Sequence, residues 1–448
     1  MLSWVDLTSG RRDNLMEPDP KPPRVVGKLG ATLMSVNGMI GAGIFALPAL
    51  LYAEVGNFAP WMFLIFGILF AASILISARL SNMFRSSGGP QLWAQAAFGP
   101  FIGFQVGWFM VLAMAAGRAA TLYVLVSYLS VIFPVFLSSA WRVAALAILL
   151  LAMTWLTISG MKKSVGGLAV GTVLKVTPIL LLCLLAFASG GIATEFTLPH
   201  FGVYENVALL VYFAYSGANS SAYSAGEFKN PRRDLPITML VSLAVIIAFY
   251  MAVQWAYIAA GAPQSTGDAT PLAAAASSVM GDGGALLLSF AAIFSIATNC
   301  LSFYIAGPRV AYAMADRGLL PRTFAHVSPR FKTPDRAILL FSVIVAVMLA
   351  SGAFVFLASV TSLGAQCITL VYITAFIFLM RRSHGSHDGR LAYYWWPVIF
   401  VAAFFALFSI AQAPAKAFLL LAALLTVGTA LYFLERRNEV SAPEPILE

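Results

Sequence analysis

The sequence predicts an all-α polytopic membrane protein with twelve transmembrane helices. Of its 448 residues, 60% are apolar and 10% are charged, which is far from the composition of a soluble domain. Uninterrupted apolar runs recur along the chain, and a transmembrane helix needs roughly 20 such residues. Because the runs do not alternate with polar residues, they exclude a β-barrel. The predicted spans are residues 29–52, 59–80, 101–133, 143–158, 167–188, 207–225, 235–260, 285–315, 337–357, 360–380, 395–410 and 415–434.

The basic residues indicate how these spans are oriented. When the loops are numbered from a cytoplasmic N-terminus, 23 of the 27 Lys and Arg residues fall on the cytoplasmic side, two on the other side and two within spans. Cytoplasmic loops carry such an excess of positive charge. We therefore expect both termini in the cytoplasm and a location in the cell membrane. The net charge of +9 is attributed to topology, and no nucleic-acid partner is expected. Residues 1–28 contain no apolar run, so no cleavable signal peptide is expected.

The first span has the composition of a helix that breaks in the middle of the membrane. Residues 29–53 carry no charge, but Gly38, Gly41 and Gly43 fall within them. Glycine is a poor helix former, and a broken helix leaves backbone amides and carbonyls that need polar partners in lipid. Such an interruption is typical of a ligand site. The alternative is that the glycines allow another helix to pack closely.

A second interruption is predicted five spans later. The centre of span six, residues 216–221, is small and polar where lipid-facing residues would be apolar. Two interrupted helices at matching positions of two five-helix halves predict an inverted repeat. Their free amides and carbonyls suit the carboxylate and the ammonium of an amino acid. The predicted organisation is a tail at 1–27, five-helix repeats at 28–190 and 203–382, helices eleven and twelve at 391–434 and a tail at 435–448, with the longest outer loop at 261–284.

Three motifs, in this order, resemble the amino acid–polyamine–organocation (APC) superfamily, and within it the amino-acid permeases and light-chain transporters. The resemblance covers about residues 29–434. The motifs are Gly38-Met-Ile-Gly-Ala-Gly-Ile-Phe45 followed by Pro48; Phe213-Ala-Tyr-Ser-Gly217 with Asn219, Glu227, Lys229-Asn-Pro-Arg-Arg233 and Leu235-Pro236; and Arg309 to Pro334 with Met314-Ala-Asp-Arg-Gly-Leu-Leu-Pro321.

The resemblance implies a five-plus-five inverted repeat with two added C-terminal helices. It also implies a secondary transporter that works by alternating access, through proton symport or substrate exchange. In this family the span-one backbone and the span-six turn bind the amino and carboxyl groups of the substrate. An aromatic residue of span six, here Phe213, gates the substrate, and a polar one, here Asn219, lies next to it. The matching positions of the backbone site are Ile40, Gly41, Ala42 and Gly43, with Phe213, Ala214 and Ser216.

Lys175 lies in the middle of span five. Charged residues within spans are usually functional, and relatives without sodium dependence often carry a lysine here in place of the ion. An ammonium can donate hydrogen bonds to the carbonyls of the broken first span, and it can carry a coupling proton. We therefore expect sodium-independent transport in which Lys175 is the coupling residue. The alternative is a lysine that extends to the membrane interface.

Arg118 lies near the middle of span three, where it matches a side-chain-pocket position of the arginine/agmatine exchangers. A guanidinium repels a cationic substrate and binds a carboxylate bidentately. Arg118 therefore disfavours arginine, lysine and polyamines, and it permits an acidic side chain. No carboxylate lies within a predicted span to form an internal ion pair, so the alternative is that Arg118 contacts backbone carbonyls or water.

Other functional classes find no support in the sequence. The three cysteines lie inside predicted spans and indicate neither a disulfide framework nor a metal site. There is no phosphate-binding loop and no nucleophile–base set of an enzyme. We expect no cofactor, and we expect an amino acid or related small molecule, protons and lipid as partners. Two alternatives remain: an exporter or exchanger of neutral amino acids or amines, and a sensor that binds an amino acid without moving it.

Overall fold

The described part of the chain is almost entirely helical and contains no strand. The computed structural model describes residues 28–84, 89–160, 165–191, 198–219, 231–261, 270–383 and 393–435. The helices are α1 (Lys28–Met39), α2 (Ala42–Val55), α3 (Ala59–Met83), α4 (Pro90–Phe98), α5 (Pro100–Ile132), α6 (Ser139–Ile158), α7 (Val165–Gly190), α8 (Phe201–Ala214), α9 (Pro231–Ala259), α10 (Pro271–Asp316), α11 (Asp335–Ser351), α12 (Phe354–Ser383), α13 (Trp395–Ala411) and α14 (Ala415–Glu435).

Most helices overlap the predicted apolar runs, because a chain in lipid must satisfy its backbone hydrogen bonds internally, whereas α4 lies outside every predicted run. In the described residues, eight segments are long and apolar enough to cross a membrane by length and composition, and α13 is a shorter apolar helix. The chain is therefore a multi-pass membrane protein. The count of twelve spans and the inverted repeat remain predictions. The predicted tail at 1–27, Glu227, Lys229 and the tail beyond Glu435 lie outside the described residues.

The predicted outer loop at 261–284 is wrong in its second half. Helix α10 begins at Pro271, and its backbone departs from helical angles only at Gly281, where φ is 68°. Proline is favourable in the first turn of a helix, and the alanines at 273–276 are strong helix formers. The hydropathy pattern missed this segment because it is too short to span a membrane. Its buried residues include Leu272 and Ala276, so it packs against the bundle.

Helix α5 forms the centre of the bundle. It packs against α4 near its start and against α10 and α12 along much of its length. Close approach depends on small residues: a Cβ on Gly107 would lie 2.5 Å from Met314 Sδ of α10, and one on Gly103 would lie 2.5 Å from Gln95 Cβ of α4. A helix that is apolar and buried on nearly all sides belongs to a core. This position places Arg118 deep inside the protein.

Candidate functional site

The first predicted interruption is confirmed at Ile40–Gly41. Helix α1 ends at Met39 and α2 begins at Ala42. Gly41 between them has extended angles, with φ −133° and ψ −148°. A Cβ on Gly41 would also lie 2.9 Å from the side chain of Asn299 in α10. Both explanations offered for the glycine cluster therefore apply, since it breaks the helix and admits a close neighbour.

Lys175 of α7 lies at this break. Its ammonium donates hydrogen bonds to the backbone carbonyls of Asn37 and Ile40, each at 3.3 Å, and to Asn37 Oδ1. The side chain is only 1% exposed, which excludes extension to the membrane interface. A positive charge therefore occupies the carbonyl cluster left by the end of α1, where an inorganic cation would find its oxygen ligands.

The remaining carbonyls at the end of α1 have donors too. Tyr250 Oη of α9 donates to Met39 O at 2.8 Å and lies 3.1 Å from Ala214 O at the end of α8. Asn299 Nδ2 donates to Gly38 O at 2.9 Å. In lipid each unpaired carbonyl costs several kcal/mol, so these side chains stabilise the interruption. In this conformation the break is closed by the protein itself.

The second interruption follows Ala214, where α8 ends in turns that the structure describes as far as Asn219. Gly217 has φ 105°, which side chains other than glycine rarely adopt. A Cβ on it would lie 2.6 Å from Gly38 O, and a Cβ on Gly43 would lie 2.9 Å from Ala214 Cα. The two interruptions therefore contact each other directly through glycine backbone.

Arg118 is 5% exposed and lies beside both interruptions. Its Nη1 donates to Asn299 Oδ1 at 3.0 Å and lies 3.5 Å from Asn299 O. Its guanidinium carbon is 4.2 Å from the ring centroid of Phe303, a cation–π contact. Its Nε is buried and has no hydrogen-bond partner among the described residues. No described carboxylate is paired with Arg118 or with Lys175.

Asn299 is a site residue that the sequence reasoning missed. Its amide accepts from Arg118 through Oδ1 and donates to Gly38 O through Nδ2. Asn37 O accepts from both Lys175 and Asn299, the latter at 3.5 Å. Asn299 thus joins the two buried cations through the end of α1. The signal available in the sequence was an amide side chain in the middle of an apolar run.

A cavity of about 100 Å³ lies against Arg118. Its polar lining comes from Arg118, Ser216, Asn219 and Thr361. Asn219 Oδ1 is buried without a hydrogen-bond partner in the described part of the chain. The rest of the wall is mostly apolar or aromatic, with Phe70, Met110, Ala113, Met114, Tyr212, Tyr215, Gly217, Phe303, Ala365 and Ile368. A pocket with an apolar wall and few convergent polar groups is typical of a small-molecule site.

The cavity brings together three of the predicted site residues, Arg118, Ser216 and Asn219. Phe213 does not line it and instead packs edge-to-face on Phe354, with ring centroids 5.7 Å apart. The other predicted residues are buried in or near the contact between the two interruptions and do not line the cavity: Ile40, Gly41, Ala42, Gly43, Ala214 and Lys175.

Comparison with known proteins decides the family. A family model described as "Amino acid permease" matches residues 26–430. The chain belongs to the amino acid permease family. This permease is therefore a membrane transporter and not an enzyme, and the resemblance drawn from its motifs is confirmed.

Curated relatives of the permease are transporters as well. It is 26% identical to a methylthioribose transporter of Bacillus subtilis, over 93% of this chain and 94% of the relative. It is 28% identical to the vacuolar cationic amino acid transporter 4 of Arabidopsis thaliana, over 73% of this chain but only 59% of the relative. It is 30% identical to an uncharacterized transporter of Mycobacterium tuberculosis, over 73% of this chain and 74% of the relative.

Proposed function

We propose that this permease moves an amino acid across the cell membrane by alternating access, without sodium, as a proton symporter or a substrate exchanger. The observation that carries this proposal is the position of Lys175. Its ammonium donates to carbonyls at the break in α1, where a bound cation would coordinate. An ammonium can release and take up a proton, so it offers a coupling group in place of an ion.

The proposed substrate region lies beside the two interruptions. Its backbone part is Ile40–Gly43 with Ala214 and Ser216, and its side-chain part is Arg118, Phe213 and Asn219. Arg118 supports selection against cationic substrates, since a buried guanidinium without a described carboxylate partner repels a second cation. We therefore do not extend the cationic substrates named for the Arabidopsis relative to this permease, and neutral and acidic substrates stay open.

The proposed architecture follows from the same features. Both termini lie in the cytoplasm, and residues 28–190 and 203–382 form two inverted five-helix units whose first helices are interrupted. Residues 391–434 add two helices, and residues 1–27 and 435–448 are tails. The sidedness of the basic residues and the contact between the two interruptions support this arrangement.

The test is transport by the purified permease in proteoliposomes. We expect uptake of labelled amino acids that does not require sodium and that responds to a pH gradient or to counter-substrate. We expect Lys175→Ala to abolish the response to pH, because the other side chain that donates to Ile40 O is the Ser295 hydroxyl, at 3.5 Å, which does not ionise near neutral pH. Undiminished pH-dependent uptake by Lys175→Ala contradicts the coupling role. Arg381→Gln, at an exposed position, is the matched control for loss of a basic residue.

Two other outcomes of this experiment identify different functions. A membrane sensor binds substrate but gives no counterflow of label, whereas a transporter does. Methylthioribose belongs in the same screen, because the relative that covers 93% of this chain is named for it. Uptake of methylthioribose without uptake of any amino acid would contradict the proposed amino-acid substrate and indicate a sugar-type substrate instead.

A further inference from the structure

Arg118 lines the cavity, and one edge of its guanidinium has no described hydrogen-bond partner. Of its nitrogens, Nη1 bonds to Asn299, while Nε is buried and unpaired, and Nη2 makes no hydrogen bond to a described residue. Together Nε and Nη2 form the side of the guanidinium that a carboxylate binds with two parallel hydrogen bonds. A buried donor without a partner is costly, so a ligand that supplies an acceptor there gains that free energy. We propose that the permease recognises its substrate through a carboxylate on this edge of Arg118, and that an ammonium on the substrate is dispensable.

The carbonyls at the end of α1, which could bind an ammonium, already have donors. Gly38 O accepts from Asn299, Met39 O from Tyr250, and Ile40 O from Lys175. These are the carbonyls that the interruption of α1 exposes. A substrate ammonium has to share these carbonyls with the donors already bound there, and one of those donors is itself a cation. The structure therefore favours binding of a substrate carboxylate over binding of a substrate ammonium.

The charge of the site points the same way. Arg118 and Lys175 are both buried and neither pairs with a described carboxylate. A monocarboxylate neutralises the guanidinium that it binds. A zwitterion adds a third positive group to the same region, and an amine adds positive charge with no compensation. At low dielectric these differences decide the order of binding.

The residues of the cavity wall indicate what the rest of the ligand should look like. Met110, Met114, Phe70 and Ile368 form an apolar surface, and the thioethers adapt their shape to what they contact. Asn219 Oδ1 is a buried acceptor without a described partner, which suits one donor on the ligand, such as a hydroxyl or an amine. The substrate class is thus a small carboxylate with an apolar body and at most one further donor. The inference rests on the proposed function in that it takes this cavity as the substrate site.

A matched set of ligands tests it. Isothermal titration of the full-length purified permease uses L-leucine, 4-methylpentanoate, L-leucinamide and 3-methylbutylamine, which share one apolar body and differ in charge. The shorter set of L-alanine, propionate, L-alaninamide and ethylamine covers a smaller ligand volume. We expect the amino acid and the plain carboxylate to bind, and the amide and the amine to bind at least about tenfold more weakly, the loss that corresponds to one hydrogen bond to a charged group.

Variants of Arg118 assign the effect to this side chain. Arg118→Gln is expected to remove the difference between carboxylates and amines, and Arg118→Lys is expected to restore it in part, because an ammonium keeps the charge but not the bidentate edge. Arg381→Gln is the control. An unfolding temperature of each variant within a few degrees of the parent shows that a loss of binding is not a loss of fold.

The outcomes separate this inference from the proposed function. Equal binding of leucine and leucinamide overturns the inference and leaves an amino-acid transporter standing. Binding of leucine without binding of 4-methylpentanoate also overturns it, since the ammonium is then required. If no member of either set binds, the inference fails, and the uptake assay in proteoliposomes decides the proposed function separately.

Discussion

At the scale of single residues, the site is organised by three buried polar side chains. Lys175 donates to carbonyls at the end of α1, and Arg118 lines the cavity. Asn299 connects these two regions because it accepts from Arg118 and donates to Gly38 O at the end of α1. An amide is the one side chain type in this set that supplies an acceptor and a donor at once without adding charge. We infer that Asn299 positions the guanidinium of Arg118, whose side chain lines the cavity.

We expect Asn299→Asp to fold and to lose affinity for carboxylate ligands. The new carboxylate pairs with Arg118 and competes with the ligand for it, while Gly38 O loses its donor, at a cost of about 1–3 kcal/mol in stability. Titration with 4-methylpentanoate and thermal unfolding measure the two effects. Thr298→Ala is the matched control, because Thr298 Oγ1 bonds only to carbonyls of its own helix. Parental affinity in Asn299→Asp would show that Asn299 does not position Arg118.

At the scale of helices, the two interruptions form one unit. In the turn after α8, Gly217 packs against Gly38 O at the end of α1. Gly43, at the start of α2, packs against Ala214. The carbonyl groups at these two helix ends do not find all their hydrogen-bond donors within their own helices. They accept from side chains of α7, α9 and α10, and the two helix ends also pack against each other. Movement of one broken helix therefore has to break these contacts or carry the other helix along.

Gly217→Ala tests this dependence. The added methyl meets both a left-handed backbone at φ 105° and a carbonyl oxygen 2.6 Å away. We expect a loss of at least about 2 kcal/mol in stability, read as a lower unfolding temperature. Gly202→Ala in α8, where a Cβ would meet nothing within 4 Å, is the control and is expected to be neutral or slightly stabilising. Equal unfolding temperatures for Gly217→Ala and the parent would refute the close contact.

A hydrogen bond between His326 and Asp335 connects the segment after α10 to the start of α11. His326 Nδ1 lies 2.7 Å from Asp335 Oδ1, and the Arg336 amide donates to the same oxygen at 2.9 Å. Partial burial raises the pKa of Asp335, but these hydrogen bonds outweigh it and hold the pKa of the carboxyl below its usual value. The negative charge also lies at the N-terminus of a helix, where it is favourable.

The sign of the resulting pH dependence follows from linkage. A lowered carboxyl pKa contributes stability above the unfolded pKa of about 4, and this contribution is lost as the pH falls through the lower pKa of the folded state. We expect Asp335→Asn to lower the unfolding temperature at pH 6 and the difference to shrink below about pH 4. Thermal unfolding between pH 6 and pH 3 measures it, with Asp282→Asn at an exposed position as control. A difference that does not change with pH would contradict this role.

At the scale of the whole molecule, hydropathy and glycine placement predicted most of what is described. The apolar runs gave the helices, the cluster around Gly41 gave the first interruption, and Lys175 was expected at its carbonyls, where the structure has it. The sequence did not reveal Asn299 or the helical segment at Pro271. A one-dimensional pattern reports how apolar a segment is, but it does not report which way each face of a buried helix turns. Asn299 matters because its side chain lies between Arg118 and Gly38 O.

The unpaired guanidinium has a consequence for the transport cycle. In the proposed cycle, an empty carrier passes through its closed intermediate with a guanidinium that has no described carboxylate partner, whereas a loaded carrier passes through it as an ion pair. If Arg118 binds a carboxylate as proposed, we expect the return step without cargo to be slow, and cargo on the far side of the membrane to accelerate it. Of the two modes left open for this permease, obligatory exchange is the one that such a free-energy profile favours, and its signature is uptake that accelerates when the vesicles are preloaded.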